Sequence, residues 1–302
     1  LNREQVRQLK EVHLSLTKKI KHLHVATKYN VATKFMGEYP SVFKGRGIEF
    51  ADFRQYTPAD DASEIDWLHS LKGGKLLVRE YVEERNLTIM FVIDSSNTML
   101  FGSQEKLKHE YAAELTAAVA AGALESGDAV GMCLASDKVK QFVRPMLGLK
   151  QLELLLHALV NEKNYGGDSA FGEILGRTSN ALPRNRILIL VSDFITHDRK
   201  WRHAVRIAAK KHQLFAFIVR DPLDDEIPAG VGQVTVQDPL TGETMVIDSD
   251  KIRERYKREA EEELNEIKQT LMKSGVRYLQ LSTKDDFTKP IIGFFKRIKK
   301  GG

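Results

Sequence analysis

Three times along the chain a run of apolar residues stops at an aspartate: LTIMFVID (87–94), RILILVSD (186–193) and LFAFIVRD (214–221). Runs with no polar alternation suit strands covered on both faces, because neither set of side chains meets water. Between them the pattern shifts to steps of three and four. EKLKHEYAAELTAAVAAGALESG (105–127) is alanine-rich, helical in period and closed by Gly127. AVGMCLAS (129–136) predicts another strand, and KVKQFVRP (138–145) a more polar one at a sheet edge. Helices are predicted near 149–161, 171–181 and 198–212. VTVQDPLTGETMVID (234–248) reads as a hairpin with Pro239 and Gly242 in its turn. A long helix follows, capped at Ser249-Asp250 and stopped at Gly275, with Ile252, Tyr256, Ala260, Leu264, Ile267 and Leu271 forming one buried stripe. RYLQL (277–281) is a last strand, followed by a helix near 286–299.

Strands alternating with helices predict an α/β fold, a mostly parallel sheet flanked by helices. That rhythm covers residues 87–302, read as one domain. Residues 1–86 do not share it: about the first 36 look helical, and short strands and turns follow around GRGIEF, YTPADD and VREYVEER. They are read as an appendage to the main domain.

Composition narrows the class. No run approaches the roughly 18 to 20 apolar residues a membrane-spanning helix needs, and the polar start LNREQVRQLK does not resemble a signal peptide. Cys133 is the only cysteine, so no internal disulfide forms, and its apolar neighbours predict a buried, inert thiol. A cytoplasmic location is expected. Net charge is +5 and uneven: the first 50 residues hold ten Lys and Arg against four Asp and Glu, while the rest are balanced within one charge. A basic stretch of this kind can meet nucleic acid, but no nucleic-acid motif accompanies it.

The candidate chemistry lies where the strands end. Ligands of open parallel sheets gather at the carboxyl edge, where strand order reverses. Asp94 and Asp193 should both emerge there. Two carboxylates about 4 Å apart at an effective dielectric near 20 repel by roughly 4 kcal/mol, so the pair calls for a cation or a shared proton. Ser96 and Thr98 add neutral oxygens. This is a donor set for a hard divalent ion, Mg²⁺ before Ca²⁺ or Mn²⁺. On spacing alone a second reading stands, in which Ser96 and Thr98 cap the following helix and Asp94 accepts from loop amides.

Asp94-Ser95-Ser96-Asn97-Thr98 after a buried strand resembles the D-x-S-x-[ST] metal-ion-dependent adhesion site (MIDAS) of von Willebrand factor A domains, with Asp193 of VSDF in the second acidic place. The wider chain is similar to the MoxR-associated, von Willebrand A-like proteins known as domain of unknown function 58. The stretches that carry this are KGRGIEFADFRQYTPADDASEIDW, VREYVEER, FVIDSSNTMLFGS, VSDF and KHQLFAFIVRDPLDDEIPAGVGQVTVQDPLTGETMVID, spanning about residues 44 to 248. The resemblance implies a six-stranded Rossmann-like sheet with a divalent metal at its carboxyl edge. It also implies work beside a MoxR-type AAA+ ATPase, as an adaptor or chaperone-associated protein and not as a catalyst.

Two departures matter. The family's third ligand is a threonine in a G-G-T-D stretch; here YGGDSAFGEIL puts Asp168 in that place, or Ser169 if the loop slides by one. The family's G-D-D-x-R-x-I-D-W appears as Ala59-Asp60-Asp61-Ala62-Ser63-Glu64-Ile65-Asp66-Trp67, without its arginine. Asp60, Asp61, Asp66 and Trp67 could form a partner-docking surface. The plainer expectation is that the acids pair with Arg54, Arg79 or Arg85 and that Trp67 is core.

Rival functions lack parts. A Mg²⁺-dependent phosphatase using Asp94 as nucleophile needs a second carboxylate two residues on, where Ser96 stands. No phosphate-cradling G-x-x-x-x-G-K-[ST] loop and no G-x-S-x-G elbow is present. The expectation is a non-catalytic, metal-dependent protein-interaction module.

Overall fold

The computed structural model describes residues 49–58, 60–82, 86–196, 199–230, 232–237 and 244–300. They divide into a small unit ending at Leu87 and a larger one beginning at Thr88. The expected helical start, residues 1–48 of the basic first 50, the turn residues Pro239 and Gly242, and the side chains of Arg79 and Arg85 lie outside the described residues.

In the small unit, β1 (Glu49–Gln55) pairs antiparallel with β2 (Leu77–Val82), with a bulge at Phe50/Asp52. The motif acids build the connection between them. Asp60 accepts from the two terminal guanidinium nitrogens of Arg54, at 2.7 and 2.6 Å, and from Thr57 N, so one of the expected arginine pairs is present. Asp61 accepts from Ser63 N, and Asp66 caps α1 (Trp67–Gly73) by accepting from His69 N. Their first task is to satisfy backbone donors. Trp67 is not core: it is 62% exposed, with Leu68 and Leu71 also exposed. The Asp66 cap sets the phase of α1 so that Ser70 turns inward and accepts from Leu77 N, which leaves the indole on the outer face.

The larger unit holds a six-stranded sheet. Its strands are β3 (Thr88–Asp94), β4 (Ala129–Ala135), β5 (Val139–Met146), β6 (Ile187–Ser192), β7 (Gln213–Arg220) and, after the separate β8–β9 hairpin (Gln233–Gln237, Thr244–Asp248), β10 (Arg277–Ser282). The spatial order is β10-β7-β6-β3-β4-β5, parallel throughout except for the edge strand β5. The Rossmann-like α/β expectation therefore holds, including the polar edge strand. The helices are α2 (Lys108–Glu125), α3 (Leu149–Val160), α4 (Phe171–Ala181), α5 (Lys200–Ala209), the single turn α6 (Pro222–Asp225), α7 (Ser249–Lys273) and α8 (Thr288–Lys300).

Strand periodicity assigns the two faces. Met90, Val92, Cys133, Leu188, Leu190, Ala216 and Ile218 pack with α4, α5 and the Leu264/Ile267/Leu271 stripe of α7. Residues of the opposite parity, among them Phe91, Ile189, Phe215 and Phe217, are equally buried, and both Phe215 and Phe217 meet Phe294 of α8 edge-on. Burial on both faces is why these strands read as unbroken apolar runs. Nearly every residue of α2 is buried, which explains its alanine content: small side chains let a helix lie close against its neighbours. Cys133 is buried, and burial raises its thiol pKa, as expected of an inert cysteine. Among the described residues no helix is long and apolar enough to cross a membrane.

The chain leaves β3 toward β4 and leaves β6 toward β7, on opposite sides. The carboxyl ends of β3 and β6 therefore flank the point where strand order reverses.

Candidate metal centre at the carboxyl edge of the sheet

Asp94 is the last residue of β3, and Asp193 directly follows β6; both are buried, at 2% and 0% exposure. The loop after Asp94 turns sharply into a 3₁₀ turn at Asn97–Leu100 with Ser96 at its head. Ser96 makes no side-chain cap there. Its hydroxyl lies 3.2 Å from Thr98 Oγ1, and Thr98 Oγ1 donates to Asp193 Oδ1 at 3.3 Å. A chain of oxygens thus connects the two strand ends. The capping alternative fails for Ser96, while its other half holds: Asp94 Oδ1 accepts from Ser96 N at 2.9 Å. Asp94 Oδ2 accepts from Ser192 Oγ at 2.8 Å, and Ser192 Oγ in turn accepts from Phe194 N at 2.8 Å. Phe194 has φ of +58°, uncommon for a bulky residue, and is held there between Phe171 and Trp201. This turn points the chain away directly after Asp193.

The spacing of these oxygens suits a cation. Hydroxyl hydrogen bonds centre near 2.7–2.8 Å, so 3.2 and 3.3 Å are long. Adjacent ligands of an octahedral ion lie about 2.9 Å apart for Mg²⁺ and about 3.3–3.7 Å apart for Ca²⁺, from the usual metal–oxygen distances. The observed edges fall between the two. The electrostatics agree: burial and then the charge of Asp193 push the Asp94 carboxyl up to about 6, against the lowering effect of its hydrogen bonds to Ser96 and Ser192. Among the described residues no three His, Cys, Asp or Glu side chains cluster in a metal-holding array; the candidate donor set is two carboxylates and hydroxyls.

The glycine loop closes one side. Gly166 N donates to Ser95 O, Gly167 N to Asn97 Oδ1, and Asn97 N to Gly167 O, at 2.8–2.9 Å. Gly166 and Gly167 have φ of +92° and +98°, and a Cβ on Gly167 would stand 2.7 Å from Asp137 Oδ1. The two candidate third ligands differ. Asp168 is exposed and folds back on Ser169 N at 2.7 Å. Ser169 is 8% exposed, and its Oγ is buried with no hydrogen-bond partner. A buried hydroxyl without a partner is costly and invites a ligand. Asp60, Asp61, Asp66 and Trp67 belong to the small unit.

Three participants were not assigned to the metal site by sequence reasoning: Ser192, Lys108 and Asp224. Lys108 Nζ donates to Asp193 Oδ2 at 2.7 Å and to Asp224 Oδ1 and Oδ2 at 3.1 and 2.9 Å. Burial pulls the Lys108 pKa down, but Asp193 and Asp224 more than offset it and leave it raised. Asp224 is nonetheless raised too, by burial first and then by the charge of Asp193, against the lowering effects of Lys108 and Arg220. The available signal was a lysine at the first position of a helix, where the dipole disfavours a cation unless acids await it.

The chain has relatives of the same scale. The uncharacterized protein Rv1480 of Mycobacterium tuberculosis is 25% identical over 288 residues, covering 93% of this chain and 89% of that protein, and Mb1516 of Mycobacterium bovis matches equally. Among solved structures, the conserved hypothetical protein BatB from Bacteroides thetaiotaomicron aligns with 71% of this chain and 100% of its own, at 17% identity and a TM-score of 0.45. A von Willebrand factor type A protein from Catenulispora acidiphila aligns over 74% of this chain and 44% of its own, at 13% identity and a TM-score of 0.39. The sequence profile described as "Protein of unknown function DUF58" matches residues 52–266, which take in β3, the aspartate-serine-threonine loop, the glycine loop and Asp193; the chain belongs to that family.

Proposed function

We propose that this chain is a non-catalytic, metal-dependent protein-interaction module of the cytoplasm, an adaptor for a MoxR-type AAA+ ATPase or its client in complex assembly. The observation that carries the metal half is the continuous run Ser96–Thr98–Asp193 beside Asp94, in which buried hard oxygens from two strand ends meet at coordination-like spacing. Asp94, Ser96, Thr98 and Asp193 would hold Mg²⁺, or Ca²⁺ or Mn²⁺ in its place, with Ser169 favoured over Asp168 as the further oxygen. A bound ion supplies a Lewis-acidic position that accepts a carboxylate from a partner. Leu100 and Phe101, at 37% and 39% exposure, offer apolar surface at the end of the same loop for the flanks of such a partner. The choice of an AAA+ ATPase follows from the family resemblance.

The test is capture by the tagged full chain, with and without EDTA, and with Asp94→Ala. Both treatments should abolish capture while circular dichroism stays unchanged. Capture that survives both would leave the metal without a role.

A further inference from the structure

The acids at this edge enclose a cation of the chain's own. Lys108 is 1% exposed, and its ammonium bridges Asp193 and Asp224, themselves 0% and 9% exposed. Buried lysines are rare unless paired, and this one also opposes the dipole of α2. Asp193 divides its oxygens between two tasks. Oδ2 is committed to Lys108, whereas Oδ1 accepts from Ile195 N at 2.9 Å and from Thr98 Oγ1. The ammonium therefore sits against one edge of the carboxylate and leaves the other facing the hydroxyls.

We propose that Lys108 is a tethered counter-ion of the candidate metal centre, a positioning residue that turns Asp193 toward Thr98 and keeps the site's affinity for divalent cations low. The inference rests on the metal-site reading above and adds its regulation. Counting only the two acids bridged by Lys108 and the facing Asp94, three negative charges stand against one. The neighbouring buried Arg220 is engaged by Asp225 and Glu263, at 3.2 and 3.9 Å, so this cluster is two charges short, the charge of one divalent ion. Without Lys108 the deficit is three. An ammonium and a metal ion repel each other and share Asp193, so removing the ammonium should strengthen metal binding. Its orienting effect is the smaller loss, because Ile195 N still holds Asp193 Oδ1. The same ammonium offsets part of the acids' charge when no ion is present, which lowers the cost of burying them.

The experiment is titration of the full chain with MgCl₂ by calorimetry and with MnCl₂ by the electron paramagnetic resonance of free Mn²⁺, comparing wild type, Lys108→Met and Asp224→Asn. Lys108→Met should bind either ion about tenfold or more tightly, and its melting temperature should rise more on adding metal than that of the wild type. Asp224→Asn should weaken binding by a similar factor, because Lys108 then serves Asp193 alone. A purely structural role would shift both variants the same way. If Lys108→Met does not fold without metal, refolding in MgCl₂ and the Asp224→Asn arm still decide. Binding by Lys108→Met with none by wild type supports the proposal. Equal or weaker binding by Lys108→Met overturns it and leaves the metal site standing; no binding by any of the three proteins overturns both.

Discussion

Two rims of the same sheet edge carry the same local signature, a buried strand ending in aspartate, and use it in opposite ways. Asp221, directly after β7, is fully buried and accepts four hydrogen bonds, two on each oxygen: Ser103 Oγ and Leu223 N on Oδ1, Ser103 N and Thr283 Oγ1 on Oδ2. Burial works against its charge, but these donors together hold its pKa below the usual carboxylate range. Asp94 is just as buried, yet it accepts from two donors and faces the charge of Asp193, and its pKa rises to about 6. One aspartate is a finished staple joining three loops. The other is a buried carboxyl with fewer donors and a like charge beside it. A strand followed by Asp is therefore not in itself a site; what separates the two is how many donors the surrounding loops bring.

The comparison can be broken most forcefully at Asp221. Asp221→Ala should cost about 3–5 kcal/mol in urea denaturation, because two hydroxyls and two amides lose a buried acceptor. Metal uptake should be unchanged in the same protein. A small cost would mean that Asp221 is no more satisfied than Asp94.

A second, smaller effect should appear at Asp94 in metal-free protein. Its folded-state pKa of about 6 lies above the unfolded value of 3.8, so between these values the folded state binds more protons. Stability should therefore fall as pH rises from about 4 to about 6. Asp94→Asn lacks this term. The difference between wild type and variant should grow across that window by at most about 3 kcal/mol, with the variant more stable at pH 7. Using the difference cancels His109, whose burial lowers its pKa to about 4 and which acts in the opposite sense over overlapping pH. Saturating MgCl₂ should erase the gap. A flat difference profile would remove the case that Asp94 lacks a counter-charge.

The smallest expected effect is none at all. With Ser96 in place of the acid that a phosphatase needs, p-nitrophenyl phosphate and Mg²⁺ should give no turnover sensitive to Asp94→Asn. Sensitive turnover would replace the binding reading with a hydrolytic one.

Much of this was legible in residue order. Apolar runs and three-to-four periodicity marked the six strands of the sheet and its long helices, since burial on two faces or one leaves a direct trace in composition. The D-x-S-x-[ST] spacing marked Ser96 and Thr98 because a tight turn after a strand places near residues together. Trp67 misled: a tryptophan among acids suggests core, but the phase of a seven-residue helix set by its Asp66 cap turned it outward. Lys108 and Asp224 were hidden for a different reason. In sequence they are an ordinary charge at a helix start and one of several acids in DPLDDEIP, 116 residues apart.

By itself, then, the sequence determined which segments are buried strands and helices, and that several strands end in acids, because those properties follow from the solvent preference of each residue and its near neighbours. Only the tertiary structure decided which aspartates are satisfied and which are not. That depends on donors and charges arriving from distant loops, and their Coulomb energies are set by distance and burial, which no local pattern encodes.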